Sequence, residues 1–196
     1  MNEIELKAHV KDRQKLILLL NKIATYKGAV TREDTYYKQK NPVSTSHAPQ
    51  IRIRKESFPE NAEKSPEYLL TYKRKEKLCG PDKIQIEVND EKECKISSPQ
   101  AIEAFLQDAG FEVSLKKRKE VKDWILDGAT LELCNVPPLG DFLEIEILSE
   151  DSSEENIKNC RKKLESILKK AEIPKEQIEN RYYSQMLREV TVNPTL

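Results

Sequence analysis

The chain is poor in the residues on which several common chemistries depend. Its 196 residues include only five glycines. That excludes a glycine-rich backbone cradle for phosphate, so any phosphate must be held by side chains. The two histidines, His9 and His47, stand far apart, and the four cysteines (Cys79, Cys94, Cys134, Cys160) show no C-x-x-C spacing. A zinc site or disulfide framework is not expected, and reduced thiols are. No Ser-His-Asp or Cys-His set is present. No apolar run approaches the ~20 residues of a membrane span, and Met1 leads into a strand-like segment without a signal-peptide pattern. A cytoplasmic, soluble protein with no membrane partner is expected. Net charge is missing too: 34 Lys and Arg balance 34 Asp and Glu. That removes any global electrostatic case for a nucleic-acid partner.

What the chain has in abundance is charge of both signs, 35% of residues against about 25% in ordinary domains. Much of it falls in strand-like alternation. Successive side chains of a strand point to opposite faces, so Glu3, Glu5 and Lys7 share one face and Ile4 and Leu6 the other. The same holds for Arg52 and Arg54 against Ile51 and Ile53, and for Glu144 and Glu146 against Leu143, Ile145 and Ile147. Lys73 and Lys75 share a face, as do Lys83, Gln85 and Glu87. Lys116 and Arg118 are expected to share one, opposite Leu115 and Lys117. Glu132 faces away from Leu131 and Leu133.

Between these strands the sequence predicts helices. Asp12 caps one over roughly 13–24, Ser98-Pro99 opens a second that stops at Gly110, and Ser152 or Ser153 caps a third to about Lys170. A fourth is expected from Pro174 to about Glu189. Strands are expected near 2–10, 29–39, 49–56, 67–76, 82–89, 112–121, 122–126, 129–135 and 141–149, with a turn at Asp127-Gly128. No low-complexity linker interrupts them. One domain over 1–190 with a frayed tail over 191–196 is the expectation.

Apolar helix stripes can cover the aliphatic sheet faces. The ionic faces must then border either open water, the usual fate of an antiparallel sheet, or the lumen of a barrel. Two details favour the lumen: these positions are nearly all charged, and acids concentrate on the first and last strands with bases on the middle ones. Facing acidic and basic walls suit a polyphosphate with a hard divalent cation. Arginine grips phosphate through paired donors and lysine acts as a point charge. Carboxylates without histidine or thiolate clusters select Mg²⁺ or Mn²⁺. Tyr36 and Tyr37 read as packing residues, Trp124 as an anchor, and His9 as a strand-end residue without a role.

Glu3-x-Glu5-x-Lys7 resembles the N-terminal signature of the CYTH, or triphosphate tunnel metalloenzyme, superfamily. The resemblance continues in order through Asp34-Thr35-Tyr36-Tyr37, Ile51-Arg52-Ile53-Arg54, Thr71-Tyr72-Lys73, Lys83-x-x-x-Glu87, Lys116-Lys117-Arg118, Leu139-Gly140-x-Phe142-x-Glu144-Ile145-Glu146 and Tyr183-Ser184-x-x-Leu187. Its spacing is closest to the branch of class IV adenylyl cyclases; thiamine and inorganic triphosphatases share the fold. The resemblance implies an α+β protein, an eight-stranded antiparallel β-barrel with amphipathic helices packed outside. It implies Mg²⁺ or Mn²⁺ held by Glu3, Glu5, Glu144 and Glu146, with Glu132 standing in because Cys134 occupies a place where aspartate is common. Phosphate would be bound by Lys7, Arg52, Arg54, Lys73, Lys75, Lys83, Lys116 and Arg118, and Lys7, Glu87 and Arg118 are the candidate catalytic residues. Lys83 and Gln85 replace an arginine and an acid common in relatives.

The activity implied is conversion of ATP to cyclic AMP and pyrophosphate. The alternatives are hydrolysis of tripolyphosphate or thiamine triphosphate, and a non-catalytic polyphosphate- or nucleotide-binding module. A monomer or homodimer is expected.

Overall fold

The alternating segments pair edge to edge until the sheet meets itself. The computed structural model describes residues 2–41, 50–79, 85–151 and 153–192, with side chains described over 3–41, 51–72, 91–151 and 153–190. Eight antiparallel strands run through them: β1 (Asn2–His9), β2 (Thr25–Gln39), β3 (Gln50–Ser57), β4 (Glu67–Cys79), β5 (Gln85–Lys95), β6 (Phe111–Leu126), β7 (Ala129–Val136) and β8 (Gly140–Ser149). Their order around the closed barrel is β1-β5-β4-β3-β2-β6-β7-β8, and β8 pairs back onto β1. Closure removes every sheet edge.

The helices α1 (Arg13–Ile23), α2 (Pro99–Asp108) and α3 (Glu154–Lys170) start where short polar side chains can take an orphan amide. Asp12 accepts from Lys15 N, Ser98 from Ala101 N and Ser153 from Asn156 N. The apolar stripes of α1 and α3, Leu16, Leu20, Leu164 and Ile167 among them, join the outward faces of β1, β7 and β8 in one buried layer with Ile4, Leu6, Leu131, Leu143 and Ile145. Leu106 of α2 packs with Tyr37 and Ile53 on the far side. The aliphatic faces are thus spent on the outside of the barrel, and the ionic faces line its lumen.

Three expectations are corrected. The segments 112–121 and 122–126 are one strand, β6, because β2 also begins earlier, at Thr25, and pairs along all of it. Lys27 bulges out between Tyr26 and Gly28, and Gly28 turns the chain at φ 131°, where a side chain would be strained. The last helix does not run from Pro174. A 3₁₀ turn over Lys175–Gln177 gives way to an extended strap, and α4 spans only Tyr183–Val192. β1 draws the strap out: Ile178 bridges Ala8 and Glu179 N donates to the Lys7 carbonyl at 2.8 Å. The frayed-tail expectation meets helix as far as Val192; residues 193–196, like Lys83 and His47, lie outside the described residues.

Candidate functional site

A cavity of about 550 Å³ occupies the lumen. One end is filled. Val30, Val121, Val136 and Phe142 point inward there and pack with Tyr183 and Met186 of α4, an apolar floor that α4 closes like a plug.

All five expected metal-side acids, Glu3, Glu5, Glu132, Glu144 and Glu146, line this cavity. They sit on the neighbouring strands β7, β8 and β1, with Glu5 directly across from Glu146 and Glu132 across from Glu144. Lys7, Arg52 and Arg54 line it as well. Lys73 and Lys75 hold positions in β4 opposite Glu91 and Asn89, and Glu87 pairs with Glu5 in β5; their side chains are outside the described set.

Lys116 and Arg118 do not belong to the lumen. Both are exposed, and Arg118 pairs on the surface with Glu120 at 3.2 Å. Residues directly opposite in an antiparallel pair share a face, and Asp34, which points inward, is paired with Lys117. The inward cations of β6 are therefore Lys117 and Lys119. A bulge at Ser114, whose hydroxyl donates to the Tyr36 carbonyl at 3.2 Å, shifts the register next to them.

The walls are also less segregated than expected, because acids on the middle strands pair with the bases. Asp34, 2% exposed, takes Arg54 through two bonds of 2.7 and 3.2 Å and Lys117 at 3.2 Å. Burial alone would raise its pKa, but Arg54, Lys117 and Arg52 hold the carboxyl well below the usual range. Arg52 reaches Glu91 at 2.9 Å and Thr71 at 3.0 Å. Arg32 bridges Glu56 at 2.7 Å and Glu132 at 2.6 Å. Lys119 joins Glu132 at 2.9 Å to Glu144 at 2.7 Å. Glu144 is thereby lowered to about 2, with burial opposing and Lys119 prevailing. The Cys134 sulfur lies 3.4 Å from Glu144, and burial together with that carboxylate pushes its thiol well up, so it stays protonated.

Lys7 is fixed by the strap. Its ammonium donates to the Arg181 carbonyl at 2.6 Å and sits 4.5 Å from the centre of the Tyr183 ring. His9, expected to lack a role, bonds Glu179 of the same strap at 3.0 Å. The tyrosine pair divides: Tyr36 lines the lumen and Tyr37 packs outside. Trp124 is the expected anchor, buried with its indole N–H donating to Asn21 at 2.9 Å.

Sequence reading assigned no role to Arg32, Glu56, Glu91, Lys117, Lys119 or Tyr183. Alternation within a strand shows which residues share a face; only cross-strand register shows which face is inside.

The donor chemistry fits a hard divalent ion. Glu3, Glu5 and Glu146 present carboxylates from adjacent strands, without histidine. Glu132, Cys134 and Glu144 also bring possible ligand atoms within 4.8 Å of one another. Among the described residues, no helix is long and apolar enough to cross a membrane.

No curated protein sequence matches the chain, but solved structures do. The PH1819 protein of Pyrococcus horikoshii OT3 is 26% identical, with a TM-score of 0.77 over 95% of this chain and 98% of that one. A candidate adenylate cyclase of Vibrio parahaemolyticus is 17% identical, TM-score 0.74, over 95% and 97%. A Hippeastrum protein, described as a candidate adenylyl cyclase with a dominant triphosphatase activity, is 17% identical, TM-score 0.63, over 96% and 95%. The sequence pattern of the CYTH domain matches residues 1–183, all eight strands and the strap, and on that extent the chain belongs to the CYTH domain family.

Proposed function

We propose that this protein is a divalent-metal-dependent enzyme that holds a linear triphosphate inside the barrel. The observation that carries the reading is one cavity lined by Lys7, Arg32, Arg52, Arg54, Lys117 and Lys119 together with the carboxylate arc of β7, β8 and β1. A non-catalytic polyphosphate sensor would need the bases but gain nothing from the acids, which only repel phosphate unless a cation stands between. The guanidinium groups would grip phosphate oxygens and orient the chain for in-line attack. Glu3, Glu5 and Glu146, with Glu132 and Glu144 beside them, would hold Mg²⁺ or Mn²⁺, which when bound supplies Lewis acidity at a phosphoryl oxygen. The apolar floor would keep bulk water from the deep end.

Hydrolysis of a terminal phosphoanhydride is the reaction the lining supports best. Six cations line the described cavity, Lys7, Arg32, Arg52, Arg54, Lys117 and Lys119, so recognition would fall on the phosphates. Cyclisation of ATP, favoured by the sequence branch, has one supporting observation: Leu69, Leu115 and Leu148 line the cavity and offer apolar surface to a purine. Incubation with ATP, tripolyphosphate or thiamine triphosphate and Mg²⁺ or Mn²⁺ tests both. Release of phosphate supports hydrolysis and formation of cyclic AMP with pyrophosphate supports cyclisation. Binding without turnover under either metal would overturn the enzymatic reading.

A further inference from the structure

Lys119 is 4% exposed, and its ammonium stands between Glu132 at 2.9 Å and Glu144 at 2.7 Å. These are two of the three groups whose ligand atoms, with the Cys134 sulfur, converge within 4.8 Å. The point where the buried acids could best share a cation is thus already taken by a cation of the protein. A lysine this buried is stable only when paired, and the two carboxylates pair it. We propose that Lys119 is a resident counter-cation. It competes with the divalent ion for Glu132 and Glu144 and leaves them when a triphosphate enters, so that metal and triphosphate bind cooperatively. The inference rests on reading the lumen as a metal and triphosphate site.

The neighbours explain why this falls to Lys119. The Arg32 fork is held on two sides, by Glu56 and Glu132, and Lys117 is committed to Asp34 at 3.2 Å. An ammonium on a four-carbon stem is a mobile point charge with no bidentate geometry to lose. It can pass from a carboxylate oxygen to a phosphate oxygen, and the divalent ion then takes its place at the carboxylates. When it moves, Glu144 becomes available to metal. When metal binds first, Lys119 is displaced toward the phosphate path. Coupling of this kind is reciprocal, since each ligand must raise the affinity of the other by the same factor.

Binding measurements on the full chain test it. Mn²⁺ is titrated alone, tripolyphosphate alone, and each in the presence of the other, with free Mn²⁺ read from its EPR signal so that chelation is counted. Wild-type protein should bind each ligand more tightly when the other is present. Lys119→Met should bind Mn²⁺ alone about tenfold more tightly than wild type, bind tripolyphosphate more weakly, and lose most of the mutual enhancement. Lys119→Arg, which keeps the charge, should leave Mn²⁺ alone bound as weakly as in wild type. Lys119→Gln, which leaves the carboxylates a hydrogen-bond donor, serves if the methionine variant does not fold. Unchanged or weaker Mn²⁺ binding in a folded Met or Gln variant would overturn the proposal, as would independent binding of the two ligands to wild type. Wild type that takes up no tripolyphosphate at all would instead overturn the functional reading beneath it.

Discussion

Asp34 shows how far the lumen is structure before it is chemistry. Its side chain is 0% exposed and holds both Arg54 and Lys117, so removing it strands two buried cations. Asp34→Ala is expected to cost roughly 3–5 kcal/mol, read as a lower midpoint in urea unfolding. Asp123 acts in the opposite sense. It lies across from Glu132 in β7, one of its oxygens is buried without a hydrogen-bond partner, and burial, then Glu132, push its pKa up to about 7. An acid whose folded pKa lies above its unfolded value of 3.8 keeps a proton that the unfolded chain has released, so between those values stability falls as pH rises. Asp123→Asn should remove that penalty. In the metal-free protein it should be more stable than wild type at pH 8, by at least about 1 kcal/mol, with the gain shrinking toward pH 4. Urea melts at the two pH values check this, and an equal effect at both would refute it.

At the scale of elements, β6 carries the main lesson about register. Its run Lys116-Lys117-Arg118-Lys119 is charged at every position, so alternation cannot say which pair is inside. Pairing with β2 decides it by setting Asp34 against Lys117. Lys117→Ala is therefore expected to weaken tripolyphosphate binding at least tenfold, while Lys116→Ala and Arg118→Ala leave it unchanged; isothermal calorimetry on the three variants is the check. The strap teaches something similar. Residues 174–189 have helical spacing, yet hydrogen bonds to β1 pull 178–182 straight and bring the Arg181 carbonyl onto Lys7. Where the pattern was one-sided, as in Ile4-Glu5-Leu6 or Leu143-Glu144-Ile145-Glu146, the sequence reading and the barrel agree on which side chains line the lumen.

For the whole molecule, closure turns scattered charge into one connected network. Arg32, Glu56, Glu132, Lys119 and Glu144 form an unbroken chain of contacts from β3 to β8. Such a lumen carries a desolvation cost when empty, and ligands that bring counter-charges lower it. Mg²⁺ with tripolyphosphate at a thousandfold excess over its dissociation constant should therefore stabilise the fold by about 4 kcal/mol, measured as a shift in the urea midpoint. Neither component alone should do as much.

The amino-acid order by itself determined that strands would be aliphatic on one face and ionic on the other, where α1, α2 and α3 begin, and that any phosphate would have to meet side chains and not a backbone loop. Those are consequences of a period of two, of short-range capping and of composition, all local properties. Which ionic residues meet was decided only by the closed sheet. Contacts such as Lys119 with Glu132 and Glu144, Asp34 with Arg54 and Lys117, and Lys7 with the strap join residues 13 to 174 positions apart. Their partners follow from strand register, bulge position and barrel closure, which no alternation within a single strand contains.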